Sequence, residues 1–120
     1  MKFLVVDDSE SWRLFVKSLF ENNHVVIECE DGSQALEAYT RHRPDWVLMD
    51  IHMENVDGLT AARQIKAQFP SARIVFVSQY SDPAFRVESA KIGADGYVTK
   101  EDFSQLFAII HFYSPKRPPS

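Results

Sequence analysis

Trp46-Val47-Leu48-Met49-Asp50 is the stretch that decides the fold, because four apolar side chains are followed at once by a carboxylate. A short continuous apolar run is typical of a strand in a parallel sheet that is covered on both faces. Leu4-Val5-Val6-Asp7-Asp8 repeats the pattern near the start of the chain. Ile74-Val75-Phe76-Val77-Ser78 repeats it with a hydroxyl in place of the carboxylate. These runs predict the central strands of a buried parallel sheet.

Outward from these runs, β-like segments alternate with segments of helical periodicity. In Ser9–Asn22, for example, apolar side chains recur at the i, i+3, i+4 and i+7 spacing of one helix face. The predicted strands are Lys2–Val6, Val25–Cys29, Trp46–Met49, Ile74–Val77 and Tyr97–Thr99. The predicted helices are Ser9–Asn22, Ser33–His42, Leu59–Phe69, a helix from the Asp82-Pro83 cap to Gly93, and a last helix that starts near Asp102.

This alternation predicts an α/β fold, a doubly wound five-stranded parallel sheet with five helices on both faces. If the strand order is 2-1-3-4-5, strands 1 and 3 are neighbours at the switch point, where ligands bind in such sheets. Asp7, Asp8 and Asp50 would then converge in one pocket. Converging carboxylates repel, so either one stays protonated or a cation neutralises them. An oxygen-only ligand set without His or Cys favours Mg²⁺.

Two more strands end in polar residues at the same edge of the sheet. Ser78 follows the fourth predicted strand and Lys100 follows the fifth. A hydroxyl and an ammonium beside a cation and a carboxylate form a site suited to a phosphoryl group, with Asp50 as the nucleophile. Taken singly, the same residues have simpler interpretations: Asp7 and Asp8 could cap the first helix, and Lys100 could be a solvated surface lysine.

The sequence resembles a response-regulator receiver domain from its start to about residue 113, most closely receivers attached to helix-turn-helix transcription regulators. The matching pieces are Val5-Val6-Asp7-Asp8-Ser9, Val47-Leu48-Met49-Asp50-Ile51-His52-Met53, Asp57-Gly58, Ile74-Val75-Phe76-Val77-Ser78 and Gly93-Ala94-Asp95-Gly96-Tyr97-Val98-Thr99-Lys100. The resemblance implies a flavodoxin-like receiver domain over residues 1–113. Residues 114–120 are then a linker or a flexible C-terminal tail.

The same resemblance implies roles for individual residues. Asp50 accepts a phosphoryl group from a phosphohistidine on a sensor histidine kinase or a histidine phosphotransfer protein. Mg²⁺ is held by Asp8, Asp50 and the backbone carbonyl of His52, with Asp7 assisting through water. Ser78 and Lys100 bind the phosphoryl oxygens.

Ser78 and Tyr97 form the switch pair that the resemblance implies. Tyr97 rotates inward from a more exposed position when Asp50 is phosphorylated. The change reaches a downstream effector, or a second copy of the chain, through the face formed by helix 4, strand 5 and helix 5.

Three positions depart from the family pattern. Glu54 and Glu101 stand where many receivers have proline, so a cis peptide bond after Lys100 is not expected. Gln79 follows Ser78 where a small residue is usual, and its larger side chain could hinder or assist the water that attacks the phosphorylated state.

Composition and charge argue against several other classes of protein. The chain has 120 residues and a formal net charge of −4, without a basic stripe, which argues against direct nucleic-acid binding by this segment. The single cysteine, Cys29, excludes an intrachain disulfide and indicates a cytoplasmic protein, and no apolar stretch is long enough to span a membrane. Two alternatives to a non-enzymatic receiver stay open: an aspartyl-phosphate-type phosphatase, and an interaction module of the same fold that is not phosphorylated.

Overall fold

The computed structural model describes residues 1–113, with the side chains of residues 112 and 113 excepted, and the tail predicted at residues 114–120 lies outside them. Five parallel strands form one sheet in the order β2-β1-β3-β4-β5, which confirms the predicted doubly wound topology. The strands are β1 (Lys2–Val6), β2 (Val25–Cys29), β3 (Trp46–Asp50), β4 (Ile74–Ser78) and β5 (Gly96–Thr99). Asp50 and Ser78 are therefore the last residues of their strands rather than the first residues of the loops.

Helices connect the strands, and three of them start at a residue whose side chain caps the first turn. They are α1 (Glu10–Phe20), α2 (Ala35–His42), α3 (Gly58–Gln68), α4 (Pro83–Ile92) and α5 (Gln105–Tyr113). The side chains of Ser9, Asp57 and Asp82 cap α1, α3 and α4 by accepting hydrogen bonds from first-turn amides. The last helix begins at Gln105, later than predicted, because residues 101–104 form turns in which Asp102 N donates to Thr99 O.

The sheet has a core on each face, because alternate side chains of a strand point to opposite sides. On one face Leu4, Met49 and Phe76 pack with residues of α2 and α3 such as Tyr39 and Ile65. On the other face the core includes Phe3, Leu48, Val98, Val16 of α1 and Leu106 of α5. The middle strands β1, β3 and β4 are buried along nearly their whole length, so their carboxyl ends are held firmly. No helix within residues 1–113 is long and apolar enough to cross a bilayer.

Gly58, the first residue of α3, lies against the end of β3. A Cβ at this position would overlap the carbonyl oxygen of Asp50, and Gly58 N donates a 2.9 Å hydrogen bond to Ile51 O. The approach is possible only without a side chain, so Gly58 sets the distance between α3 and the strand that carries Asp50.

We expect Gly58→Ala to destabilise the fold by about 1–3 kcal/mol, because overpacking against backbone outweighs the better helix propensity of alanine. Urea unfolding followed by circular dichroism measures this loss. Thr60→Ala is the matched control, because Thr60 is exposed in the same first turn and should leave the free energy of unfolding nearly unchanged. Equal stability of the two variants would show that α3 can move away from Asp50 without penalty.

Candidate functional site

Three carboxylates meet where β1 and β3 end side by side. Ligand oxygens of Asp7, Asp8 and Asp50 all lie within 4.8 Å of one another. Asp7 and Asp50 are buried, with 1% and 6% of their surface exposed, whereas Asp8 faces solvent. The convergence inferred from the strand order is therefore present in the structure.

The backbone around Asp7 is held from several sides. Asp7 N donates to Cys29 O at 3.0 Å, and Asp7 Oδ1 accepts from Ser9 N at 2.8 Å. Arg13, which is buried in α1, donates from Nη1 to the carbonyl oxygen of Asp7 at 2.6 Å and pairs through Nε with Glu28 at 3.2 Å. Arg13 thus fixes the acidic turn to α1 and β2, a role that the sequence analysis missed.

The close approach of the three carboxylates affects the pKa of Asp50. Burial, and after it the negative charge of Asp7, raises the pKa of Asp50 to about 7, against the opposing effect of Lys100. A weak hydrogen bond from His52 N to Asp50 Oδ1, at 3.4 Å, offsets little of this. Asp50 therefore binds a proton near neutral pH unless another positive charge reaches the pocket.

The donor set fits a hard divalent cation. All three side chains offer carboxylate oxygens, the ligands that such a cation prefers. The imidazole of His52 is exposed and packs edge-on against Phe85, with ring centres 5.0 Å apart. The metal-binding role expected for the backbone carbonyl of His52 stays a prediction.

Lys100 and Ser78 lie at the same edge of the sheet, as predicted. Lys100 Nζ is 2.9 Å from Asp7 Oδ2, in an ion pair between partly exposed and buried side chains. Ser78 is fully buried, and its Oγ accepts from Tyr80 N at 3.3 Å. A backbone hydrogen bond of 2.8 Å from Lys100 N to Ser78 O joins the two strand ends.

Tyr97 occupies a different position from the one expected. It is only 8% exposed, and its hydroxyl donates to Tyr80 O at 3.0 Å. The guanidinium of Arg86 lies 4.5 Å from the centre of the Tyr97 ring and covers it. The expectation that Tyr97 starts from a more exposed position is therefore wrong for this structure, because these two contacts hold the ring inward.

The pocket above the carboxylates has a volume of about 810 Å³. Asp8, Asp50 and Lys100 belong to its polar part, and Trp12 of α1 forms an aromatic wall. Gln79 and Glu101, two of the positions that depart from the family pattern, also line it, and the Lys100–Glu101 peptide bond is trans.

Together, the topology and the site define a flavodoxin-like domain with an acidic pocket at the carboxyl edge of its sheet. The sequence matches the response regulator receiver domain over residues 3–111. The chain therefore belongs to the receiver domains of two-component response regulators.

Relatives of known structure or function fit this assignment. The chemotaxis protein CheY of Bacillus subtilis is 37% identical over 101 residues, which cover 82% of this chain and 84% of CheY. A LuxR-family response regulator from Aurantimonas superposes with a TM-score of 0.87 at 30% identity, covering 97% of this chain and 86% of that one. The beryllofluoride-activated receiver domain of Klebsiella pneumoniae RstA superposes with a TM-score of 0.85 at 25% identity, covering 93% and 97%. The LuxR-family neighbour agrees with the resemblance to receivers of transcription regulators.

The raised pKa of Asp50 predicts a pH-dependent stability in metal-free protein. Between about pH 4 and 7 the folded state binds a proton that the unfolded state has lost, so stability falls as pH rises through this range. Asp50→Asn removes the effect. In the presence of chelator we expect the variant to match wild type near pH 4.5 and to exceed it by about 1–3 kcal/mol at pH 8, in urea unfolding.

Glu54→Gln is the control for this comparison, because it removes an exposed carboxylate from the loop that follows Asp50. The difference in free energy of unfolding between Glu54→Gln and wild type should vary little over the same pH range. If the free energies of unfolding of Asp50→Asn and wild type differ by a constant amount from pH 4.5 to 8, the raised pKa does not belong to Asp50.

Proposed function

We propose that this receiver domain accepts a phosphoryl group on Asp50 from a phosphohistidine of a sensor histidine kinase or histidine phosphotransfer protein, with Mg²⁺, in the cytoplasm. The observation that carries the proposal is the position of Asp50. Its carboxylate lies at the end of a buried strand, within 4.8 Å of two other carboxylates, in a pocket that Lys100 also lines. A carboxylate under such repulsion is stabilised by the arrival of positive charge, and the doubly charged phosphoryl group that it would accept needs the same positive charge.

The transfer itself is a displacement at phosphorus. A carboxylate oxygen of Asp50 forms the new P–O bond as the P–N bond to the donor imidazole breaks, and the electron pair of that bond stays on the imidazole nitrogen. Asp8, Asp50 and the His52 carbonyl would hold Mg²⁺, with Asp7 assisting through water. The cation supplies positive charge where the phosphoryl oxygens gather.

Lys100 and Ser78 supply the remaining stabilisation. In the resting protein the ammonium of Lys100 pairs with Asp7. A phosphoryl group on Asp50 offers it a stronger, doubly charged partner, so Lys100 moves from Asp7 to a phosphoryl oxygen. Ser78, at the end of the adjacent strand β4, turns its hydroxyl from Tyr80 N to donate to the same group. We propose that the chain acts by this stoichiometric modification and is not a phosphatase that turns over external esters.

Treatment with acetyl phosphate and Mg²⁺ should place one phosphoryl group on each wild-type chain, in an acid-stable and base-labile form. Asp50→Asn should take up none, because an amide oxygen does not form the acyl phosphate, and chelator should prevent labelling of wild type. Intact-protein mass spectrometry measures the stoichiometry. Asp57→Asn is the matched control, because it alters an exposed aspartate while keeping a residue that can cap α3.

Equal labelling of Asp50→Asn and wild type would show that another residue is the phosphoryl acceptor. Labelling of wild type in the presence of chelator would show that Mg²⁺ is not required. Continuous release of product from small phosphate esters would favour the phosphatase alternative.

The response to phosphorylation is proposed to reach partners through the face formed by α4, β5 and α5. Arg86, which covers Tyr97, and Lys91 are exposed on α4, and Gln105 is exposed at the start of α5. When Ser78 turns to the phosphoryl group, the segment at Tyr80 that holds the Tyr97 hydroxyl loses its contact with Ser78 Oγ. The adjustment therefore passes directly from the pocket to this face.

Amide NMR spectra with Mg²⁺ and beryllofluoride should show shifts at residues 79–81, Arg86 and Tyr97 as well as around Asp50. Residues of the opposite face, such as α2, are the internal control and should change little. Shifts confined to the immediate surroundings of Asp50 would contradict a switch through this face.

A further inference from the structure

Trp12 contacts the ammonium of Lys100 in the pocket, and the proposed phosphoryl transfer gives this contact no role. The ammonium of Lys100 lies 5.0 Å from the centre of the Trp12 ring and 2.9 Å from Asp7 Oδ2. It is therefore placed between the aromatic ring and the carboxylate, and its side chain is only 23% exposed. An aromatic face attracts a nearby cation, and tryptophan does so most strongly.

The Trp12 ring is itself held in place. Phe103, which is buried and follows Lys100 by three residues, packs edge-on against it with ring centres 5.0 Å apart. Phe15, one helical turn further along α1, lies 5.2 Å away, and Trp12 N donates to the capping Ser9 Oγ at 3.2 Å. These contacts join α1 to the segment after β5, and they keep the ring beside Lys100.

We propose that Trp12 is a positioning residue that keeps the ammonium of Lys100 inside the pocket, ready to pass from Asp7 to an anionic group on Asp50. The inference rests on the proposed function, because it assigns Lys100 to that anion. A lysine has four rotatable bonds and a strongly hydrated ammonium. Without the Trp12 ring, the Lys100 side chain would therefore point into solvent in a larger fraction of molecules. Trp12 reduces that fraction by attracting and partly covering the charge.

This role has an electrostatic signature that packing alone lacks. An ammonium kept near Asp7 repels a divalent cation bound to the same carboxylates, but attracts an anion bound at Asp50. Loss of the ring should therefore weaken anion binding while leaving Mg²⁺ binding unchanged or tighter. Loss of structure in the pocket would weaken both.

The test uses Trp12→Leu, which keeps apolar bulk, and Trp12→Phe, which keeps a weaker aromatic face. Calorimetry measures the affinity for Mg²⁺ alone, and NMR measures the affinity for beryllofluoride at saturating Mg²⁺. From the usual strength of a cation–π contact we expect Trp12→Leu to weaken beryllofluoride binding roughly 3- to 20-fold, with Trp12→Phe between it and wild type. The Mg²⁺ affinity of both variants should equal or exceed that of wild type. Phe107→Leu, a partly exposed aromatic on α5, is the control and should change neither affinity.

A double-mutant cycle with Lys100→Met gives the second readout. If Trp12 acts through Lys100, Trp12→Leu should have no further effect on beryllofluoride binding once the ammonium is gone. Three results would overturn the positioning role. Trp12→Leu could lose affinity for Mg²⁺ and beryllofluoride in parallel, or Trp12→Phe and Trp12→Leu could bind beryllofluoride equally. The effect of Trp12→Leu on beryllofluoride binding could also add to that of Lys100→Met.

The proposed function fails in a different way. In that case wild type would not bind beryllofluoride, or Asp50→Asn would bind it equally well, and the role of Trp12 would fall with it. A wild type that binds beryllofluoride at Asp50, with a Trp12→Leu variant that binds it as tightly, would overturn the role of Trp12 alone.

Discussion

Mutual repulsion among Asp7, Asp8 and Asp50 is the constraint on which the rest of the site depends. Their oxygens lie within 4.8 Å of one another, and two of the three side chains are buried. Carboxylates do not collect in this way unless the fold forces them to and a cation or proton relieves them. Burial and Asp7 together raise the pKa of Asp50 to about 7, so the charged carboxylate is disfavoured at the position where it is proposed to be modified.

The fold tolerates this arrangement because the sheet around it is rigid. The strands that carry Asp7 and Asp50 are adjacent and buried along nearly their whole length, and Gly58 lets α3 close against the backbone of Asp50. Arg13 holds the carbonyl of Asp7 from the side of α1. The ammonium of Lys100 pairs with Asp7 rather than with Asp50. We propose that a phosphoryl group on Asp50 changes the contacts of Lys100 and Ser78, while the buried strands hold the carboxyl edge of the sheet in place.

The sheet, its order and the acidic edge could be predicted from sequence because they follow from local patterns. Apolar runs mark the buried strands, and a polar residue directly after a run lies at the carboxyl edge whatever its neighbours are. The same reasoning placed Ser78 and Lys100 at the carboxyl edge of the sheet. Strand ends differed from prediction by a single residue, because a carboxylate such as Asp50 can still pair through its backbone as the last residue of β3.

The contacts between distant elements could not be predicted in this way. Periodicity placed Trp12 on an apolar helix face, but its neighbours Lys100 and Phe103 are about ninety residues away in sequence. Arg13 is charged, and nothing local indicates that it is buried against a strand end. The inward position of Tyr97 depends on Arg86 and the carbonyl of Tyr80, which come together only in the fold.

The central claim is that neighbouring charge and burial disfavour the Asp50 carboxylate until a cation binds. It is tested most directly by ¹³C NMR titration of aspartate carboxyl carbons. In metal-free protein, the signal that disappears in Asp50→Asn should titrate near pH 7, well above an ordinary aspartate. Saturating Mg²⁺ should move that titration to lower pH, because the cation favours the carboxylate. An Asp50 that titrates near pH 4 in chelator, and is indifferent to Mg²⁺, would contradict the account.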